Sequence, residues 1–162
     1  MENRLGAAAL KAALAGVFDG PGHGAFPTIP DFDYRDRTRF ELSPKGFLIY
    51  GQTTWAAGDG APLHQELGYL RIADDLSAEF VVAEPTGIAE VSLGSAIVGD
   101  EGIVIDLLAT PLILSPTARR VTTLRRRLVF TEQFFKYQLY MATDVVPEMT
   151  LHLTGELERV GD

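Results

Sequence analysis

Leu63-His64-Gln65-Glu66-Leu67-Gly68-Tyr69-Leu70-Arg71-Ile72, Ala73-Asp74-Asp75, Ala78 to Ala83, Glu84-Pro85-Thr86-Gly87 and Ile88 to Leu93 follow one another in the chain. Strand-length runs rich in apolar residues alternate here with turn residues. Connections this short join antiparallel neighbours. No helix-length pattern intervenes, which excludes a βαβ arrangement.

The same rhythm extends in both directions. Upstream lie Phe47 to Trp55, Phe32 to Leu42 and Gly16 to Gly20. Between the last two, Pro21-Gly22-His23-Gly24-Ala25-Phe26-Pro27 reads as a glycine- and proline-rich loop, with Gly20-Pro21-Gly22-His23-Gly24 as a tight corner that uses glycine's freedom to take positive φ. Downstream lie Ile103 to Ala109, Val121 to Phe130, Phe134 to Ala142 and a closing strand from Met149. Residues 110–118 are the longest irregular stretch. Residues 5–15 are alanine- and leucine-rich and predict one short helix. The count is about ten strands, all β after Gly16. A sandwich or an up-and-down barrel accommodates them. Short meander connections favour the ten-stranded antiparallel barrel, which removes exposed edges and encloses a cavity.

Composition narrows the function. A length of 162 residues with 46% apolar content suits a single domain, 1–162, with a sizeable core. Cysteine is absent, which excludes disulfides, thiolate metal sites and thiol nucleophiles and suits a reducing cytoplasm. A net charge of −8 argues against nucleic acid. No run of 18 apolar residues predicts a membrane helix, and the N-terminal stretch is too weakly apolar for a secretory signal. Arg119, Arg120, Arg125, Arg126 and Arg127 form one basic cluster, either a solvated face or a site for an anionic group. The sequence admits a homodimer without specifying one.

Chemistry-bearing residues are sparse. The three histidines are His23, His64 and His152. They are scattered, which makes a poor zinc site, whereas haem needs one histidine and an apolar pocket. There is no G-x-S-x-G elbow and no dinucleotide fingerprint. Glu66, Glu90 and Asp106 are strand carboxylates expected on a solvated face or paired with arginine.

Several segments together resemble the nitrobindin family. They are Gly16-Val17-Phe18-Asp19-Gly20-Pro21-Gly22, Phe26-Pro27-Thr28-Ile29, Phe32 with Tyr34, and Tyr50 with Gln52. Leu63-His64-x-Glu66-x-Gly68-Tyr69-x-Arg71 and Pro85-Thr86-Gly87-Ile88-x-Glu90-Val91 continue the pattern. Ser115-Pro116-Thr117-Ala118, Tyr140-Met141-Ala142 and His152-Leu153 complete it. The resemblance spans roughly Leu14 to Val160. It implies a ten-stranded barrel with a short N-terminal helix that holds one ferric b-type haem through His152. It further implies nitric oxide binding and isomerisation of peroxynitrite to nitrate. By the same resemblance Leu63, His64, Ser92 and Met141 line the cavity, and Arg119 stands beside the haem propionates. Phe18 and Phe26 replace a family tryptophan and tyrosine, keeping the ring and losing the polar handle. A carrier barrel for a fatty acid or other apolar anion is the alternative that the same shape allows.

The closing strand holds a conflict. By period two, His152 shares a face with Thr150, Thr154, Glu156 and Glu158, and the leucines take the other. If His152 points inward, Leu151 and Leu153 are expected to pack outward under other protein. His152 is then expected to line the largest cavity.

Overall fold

The computed structural model describes residues 5–162, so residues 1–4 of the expected single domain lie outside the described residues. Helix α1 (Ala7–Leu14) is followed by eleven strands: β1 (Gly16–Phe26), β2 (Ile29–Leu42), β3 (Leu48–Ala56), β4 (Pro62–Ile72), β5 (Ser77–Glu84), β6 (Ile88–Gly99), β7 (Gly102–Ala109), β8 (Ile113–Leu114), β9 (Val121–Phe130), β10 (Phe134–Thr143) and β11 (Thr150–Gly161). Ten pair with their chain neighbours in an antiparallel meander, and β1 pairs with β11 to close the barrel. The two-residue β8, within the stretch expected to be irregular, adds to the start of β6 outside the closure.

One expectation fails in β1. Gly20, Gly22 and Gly24 do not form a corner, and none has positive φ. They run in extended strand, Gly22 and Gly24 paired to both β2 and β11 and Gly20 to β2. Packing is the reason for glycine here. A Cβ on Gly22 would lie 2.1 Å from the Tyr34 ring, and one on Gly24 would lie 2.2 Å from the Phe32 ring. The rings occupy the space that side chains on β1 would fill.

Alternation along each strand divides the interior into layers. At one end Phe18, Phe40, Phe130 and Phe135 pack in mutual ring contacts, and Phe130 stacks on Phe135 at 4.6 Å. Phe18 thus retains the core role of a large aromatic residue. Leu10 and Leu14 of α1 are fully buried in the same cluster, so the helix plugs this end. Arg159 fastens the plug by donating to the carbonyls of Ala13 and Ala15 while its guanidinium lies over the Phe18 ring. A second, smaller apolar group, including Ile88, Val121, Leu124 and Leu139, lines the opposite end.

Candidate functional site in the open end of the barrel

A cavity of about 480 Å³ occupies the end away from the helix. His152, His64, Leu63, Met141 and Arg119 all line it, together with Phe32, Leu124, Leu139 and Leu153. Ser92 does not. It is fully buried and donates to Glu90, deeper in the barrel. The cavity is not the largest by volume: two clefts, of about 630 and 820 Å³, are larger. The first lies between the start of α1, the turn before β5 and the end of β6, and the second along β1, β2 and β11.

β-Bulges build its rim. Between β10 and β11, Leu139 pairs with Leu153 but Tyr140 pairs with Leu151, so His152 is the extra residue. An extra residue breaks the two-residue alternation. His152 and Leu153 consequently both reach the cavity. This overturns the expectation that Leu151 and Leu153 pack outward under other protein. Leu153 faces in, and Leu151 is 39% exposed. Leu157 is also inward and fully buried. A matching bulge at Leu63, between the pairs Thr54–His64 and Trp55–Pro62, lets both Leu63 and His64 line the opposite wall.

The bulge also sets the imidazole. The β1–β11 ladder ends at the pair Gly24–Leu153. The next carbonyl, that of Ala25, lies 3.0 Å from His152 Nδ1. A carbonyl can only accept, so Nδ1 carries the proton and, in the neutral ring, Nε2 keeps its lone pair. Burial lowers the pKa of His152, and the nearby charges of Arg119 and His64 add to this against the Ala25 bond. The neutral ring is therefore the stable form, oriented by a hydrogen bond of the kind that fixes metal-ligating histidines. Phe26 packs edge-on against it at 5.3 Å, so the residue standing for the family tyrosine buttresses the ring.

Below the cavity lies a polar floor. Arg126, from the basic cluster, points inward and is buried. It donates to both oxygens of Glu66 at 3.0 Å and to Glu90. Tyr50 donates to Glu66 and Ser92 to Glu90. The remaining arginines divide: Arg125 and Arg127 pair outside with Asp106, and Arg119 is exposed at the cavity mouth. Glu66 and Glu90 thus follow the arginine-pair alternative. Burial pushes Glu66 up, but the Arg126 charge and the His64 hydrogen bond outweigh it and hold the carboxyl below its usual range. His64 contacts Glu66 at 3.1 Å and Glu84 at 3.9 Å. Burial and the Glu66 charge raise Glu84 to about 7. Burial opposes the His64 charge, yet Glu66 and Glu84 raise its pKa overall.

A second network shares the floor. Tyr137, Thr38 and Gln52 all donate to the buried Asp36, and the Tyr34 hydroxyl meets that of Tyr137 at 2.7 Å. Burial raises Asp36 to about 6 against these three donors. The alternation in the sequence carried a signal for part of this floor. Arg126 falls in phase with Leu124, Leu128 and Phe130, and Glu90 with Ile88, so each places a charge on an inward face. Glu84, Tyr34 and Tyr137 had no such mark. His23 is half exposed and bonded to Asp33, as a surface residue should be.

An unprotonated imidazole nitrogen above an apolar cavity, with an arginine at the mouth, fits a flat, largely apolar metal chelate that carries carboxylates. Residues 8–159 match the THAP4-like, heme-binding beta-barrel domain. Peroxynitrite isomerase 1 of Rhodococcus jostii (strain RHA1) is 41% identical over 91% of this chain and 81% of its own length. Peroxynitrite isomerase 2 of Mycobacterium marinum is 37% identical over 91% of each chain. The crystal structure of Rv2717c from M. tuberculosis superposes with a TM-score of 0.86 at 36% identity, covering 95% of this chain and 97% of that one. The chain belongs to the THAP4-like, heme-binding β-barrel family, the nitrobindins.

Proposed function

We propose that this protein holds one ferric b-type haem through His152 Nε2, binds nitric oxide, and isomerises peroxynitrite to nitrate. The observation that carries the reading is the His152 Nδ1–H hydrogen bond to the Ala25 carbonyl, which holds the ring proton on Nδ1 and leaves Nε2 free. The names of the relatives, peroxynitrite isomerases, supply the reaction.

When bound, the haem supplies an iron centre at which peroxynitrite isomerises. The chain's own residues do the rest. Ala25 and Phe26 hold the imidazole in one orientation. Arg119, exposed at the mouth, would hold a propionate of the haem. Leu63, Leu124 and Met141 line the cavity with apolar side chains and keep water away from the reacting anion. His64, anchored on Glu66, offers a hydrogen-bond donor in the same cavity. Ser92 acts only beneath the floor, through Glu90. The absence of cysteine supports a cytoplasmic location. The outer face supports a homodimer: Leu67 and Tyr69 of β4, Val81 of β5, and Val91 and Leu93 of β6 are exposed on neighbouring strands, where Tyr69 pairs with Val81 and Val81 with Val91.

The test is a hemin titration of the full chain, followed by its Soret band, in wild type and His152→Ala. The expected result is one equivalent bound by wild type and a lost or shifted band in the variant. An unchanged band in His152→Ala would overturn the axial assignment. Uptake of a fluorescent fatty acid, with hemin ignored, would favour the carrier alternative.

A further inference from the structure

We propose that His64, Glu66 and Glu84 form a binding site for one divalent transition-metal ion in the cavity wall, distinct from the imidazole of His152. The site does not depend on the haem reading.

Three observations carry it. The first is convergence. One donor atom from each residue lies within 4.8 Å of the others. His64 and Glu66 are two apart on β4 and so share its inward face, and Glu84 comes from the adjacent β5.

The second is the spacing between donors. Metal–nitrogen and metal–oxygen bonds of about 2.0–2.2 Å put two ligand atoms about 3 Å apart at a right angle and about 4 Å apart when opposed. His64 Nε2 lies 3.1 Å from Glu66 Oε1 and 3.9 Å from Glu84 Oε2. Both spacings from His64 fall in that range, and the Glu66 and Glu84 donor atoms lie within 4.8 Å of each other.

The third is unbalanced charge. Glu66, Glu84 and Glu90 meet one guanidinium, Arg126. With His64 neutral and all three carboxylates ionised, the form that a bound cation would favour, the cluster carries two more negative than positive charges, which one dication cancels. Glu84 is the least satisfied member. Its side chain is 10% exposed, Thr86 donates to one oxygen, and Arg126 stays 3.8 Å from the other. Tyr50 and Arg126 donate to Glu66 Oε2, and Arg126 also to Oε1 beside His64, hydrogen bonds of the kind that support ligating carboxylates. One imidazole with two carboxylates suits zinc, iron(II), cobalt(II) or manganese(II). An ion there presents a Lewis acid to whatever fills the cavity.

The competing account is that His64 simply hydrogen-bonds Glu66. Cobalt(II) titrated into the haem-free full chain, followed by its visible d–d absorption, separates the two. The titration is repeated with zinc(II) by calorimetry. The expected result is one saturable equivalent, weakened at least tenfold in Glu84→Gln and in His64→Gln and unchanged in His152→Ala and His23→Ala. Zinc(II) should also raise the unfolding temperature of wild type and not that of Glu84→Gln. No saturable equivalent in wild type would overturn the site. So would binding that survives in both cluster variants, or that disappears in His152→Ala. A wild-type Soret titration by Glu84→Gln reports that the variant is folded and keeps failure of this site separate from failure of the haem reading.

Discussion

The two ends of the barrel are made by the same strands and filled in different ways. At the helix end the inward residues of β1, β2, β9 and β10 are phenylalanines that touch one another, and α1 seals the opening with two leucines. At the other end the strands run on past the core, bulge at Leu63 and His152, and enclose a cavity. Between them lies the polar floor of Arg126, Glu66, Glu90 and Asp36. Close packing at one end supplies the stability that an open pocket forgoes at the other. The floor keeps the apolar core from collapsing upward into the cavity, because its charges are satisfied only where they stand.

Mutations at different depths test that division. Arg126→Met should be the most damaging, because it strands Glu66 and Glu90 together without a counter-charge. A loss of about 5 kcal/mol in denaturant-derived stability at neutral pH is expected. A loss below about 1 kcal/mol would show that the floor is solvated through the cavity. Phe130→Ala, within the ring cluster, should cost about 4 kcal/mol. Hemin uptake per folded chain should be unaltered, and impaired uptake would mean that the two ends are not independent.

Asp36 tests the floor through pH. Its carboxyl is raised from 3.8 to about 6 in the folded protein. Between those values the folded chain holds a proton that the unfolded chain has released. Its contribution to stability is therefore full below about pH 4 and is lost as pH rises through about 6, a change of roughly 2–3 kcal/mol. Unfolding midpoints measured from pH 4 to 7 should lose this component in Asp36→Asn. An identical slope in the variant would remove Asp36 as its source. The smallest effect is expected at the rim: His152→Ala should change stability by less than about 1 kcal/mol, measured without haem.

The meander was legible because strand and turn signals alternate so regularly, and the bounds read for Val121 to Phe130 match β9. Two features were hidden for physical reasons. Glycine and proline in Gly20-Pro21-Gly22-His23-Gly24 signal a turn by local propensity, but rings contributed by β2 make glycine the fitting residue in a straight strand. The direction of His152 was unreadable because a bulge is a relation between two strands, and period-two counting follows only one. The polar floor was half legible. Arg126 and Glu90 stand out as charges in phase with apolar neighbours, whereas Glu84 sits at a strand end that reads as a turn.

The bulge at position 152 has an evolutionary consequence. Because His152 is the supernumerary residue of β11, the wall is complete without it. Deleting that single codon would restore uninterrupted pairing between β10 and β11 and remove the imidazole in the same event. Loss of the proposed ligand is thus one in-frame step away, and it leaves a sound barrel behind.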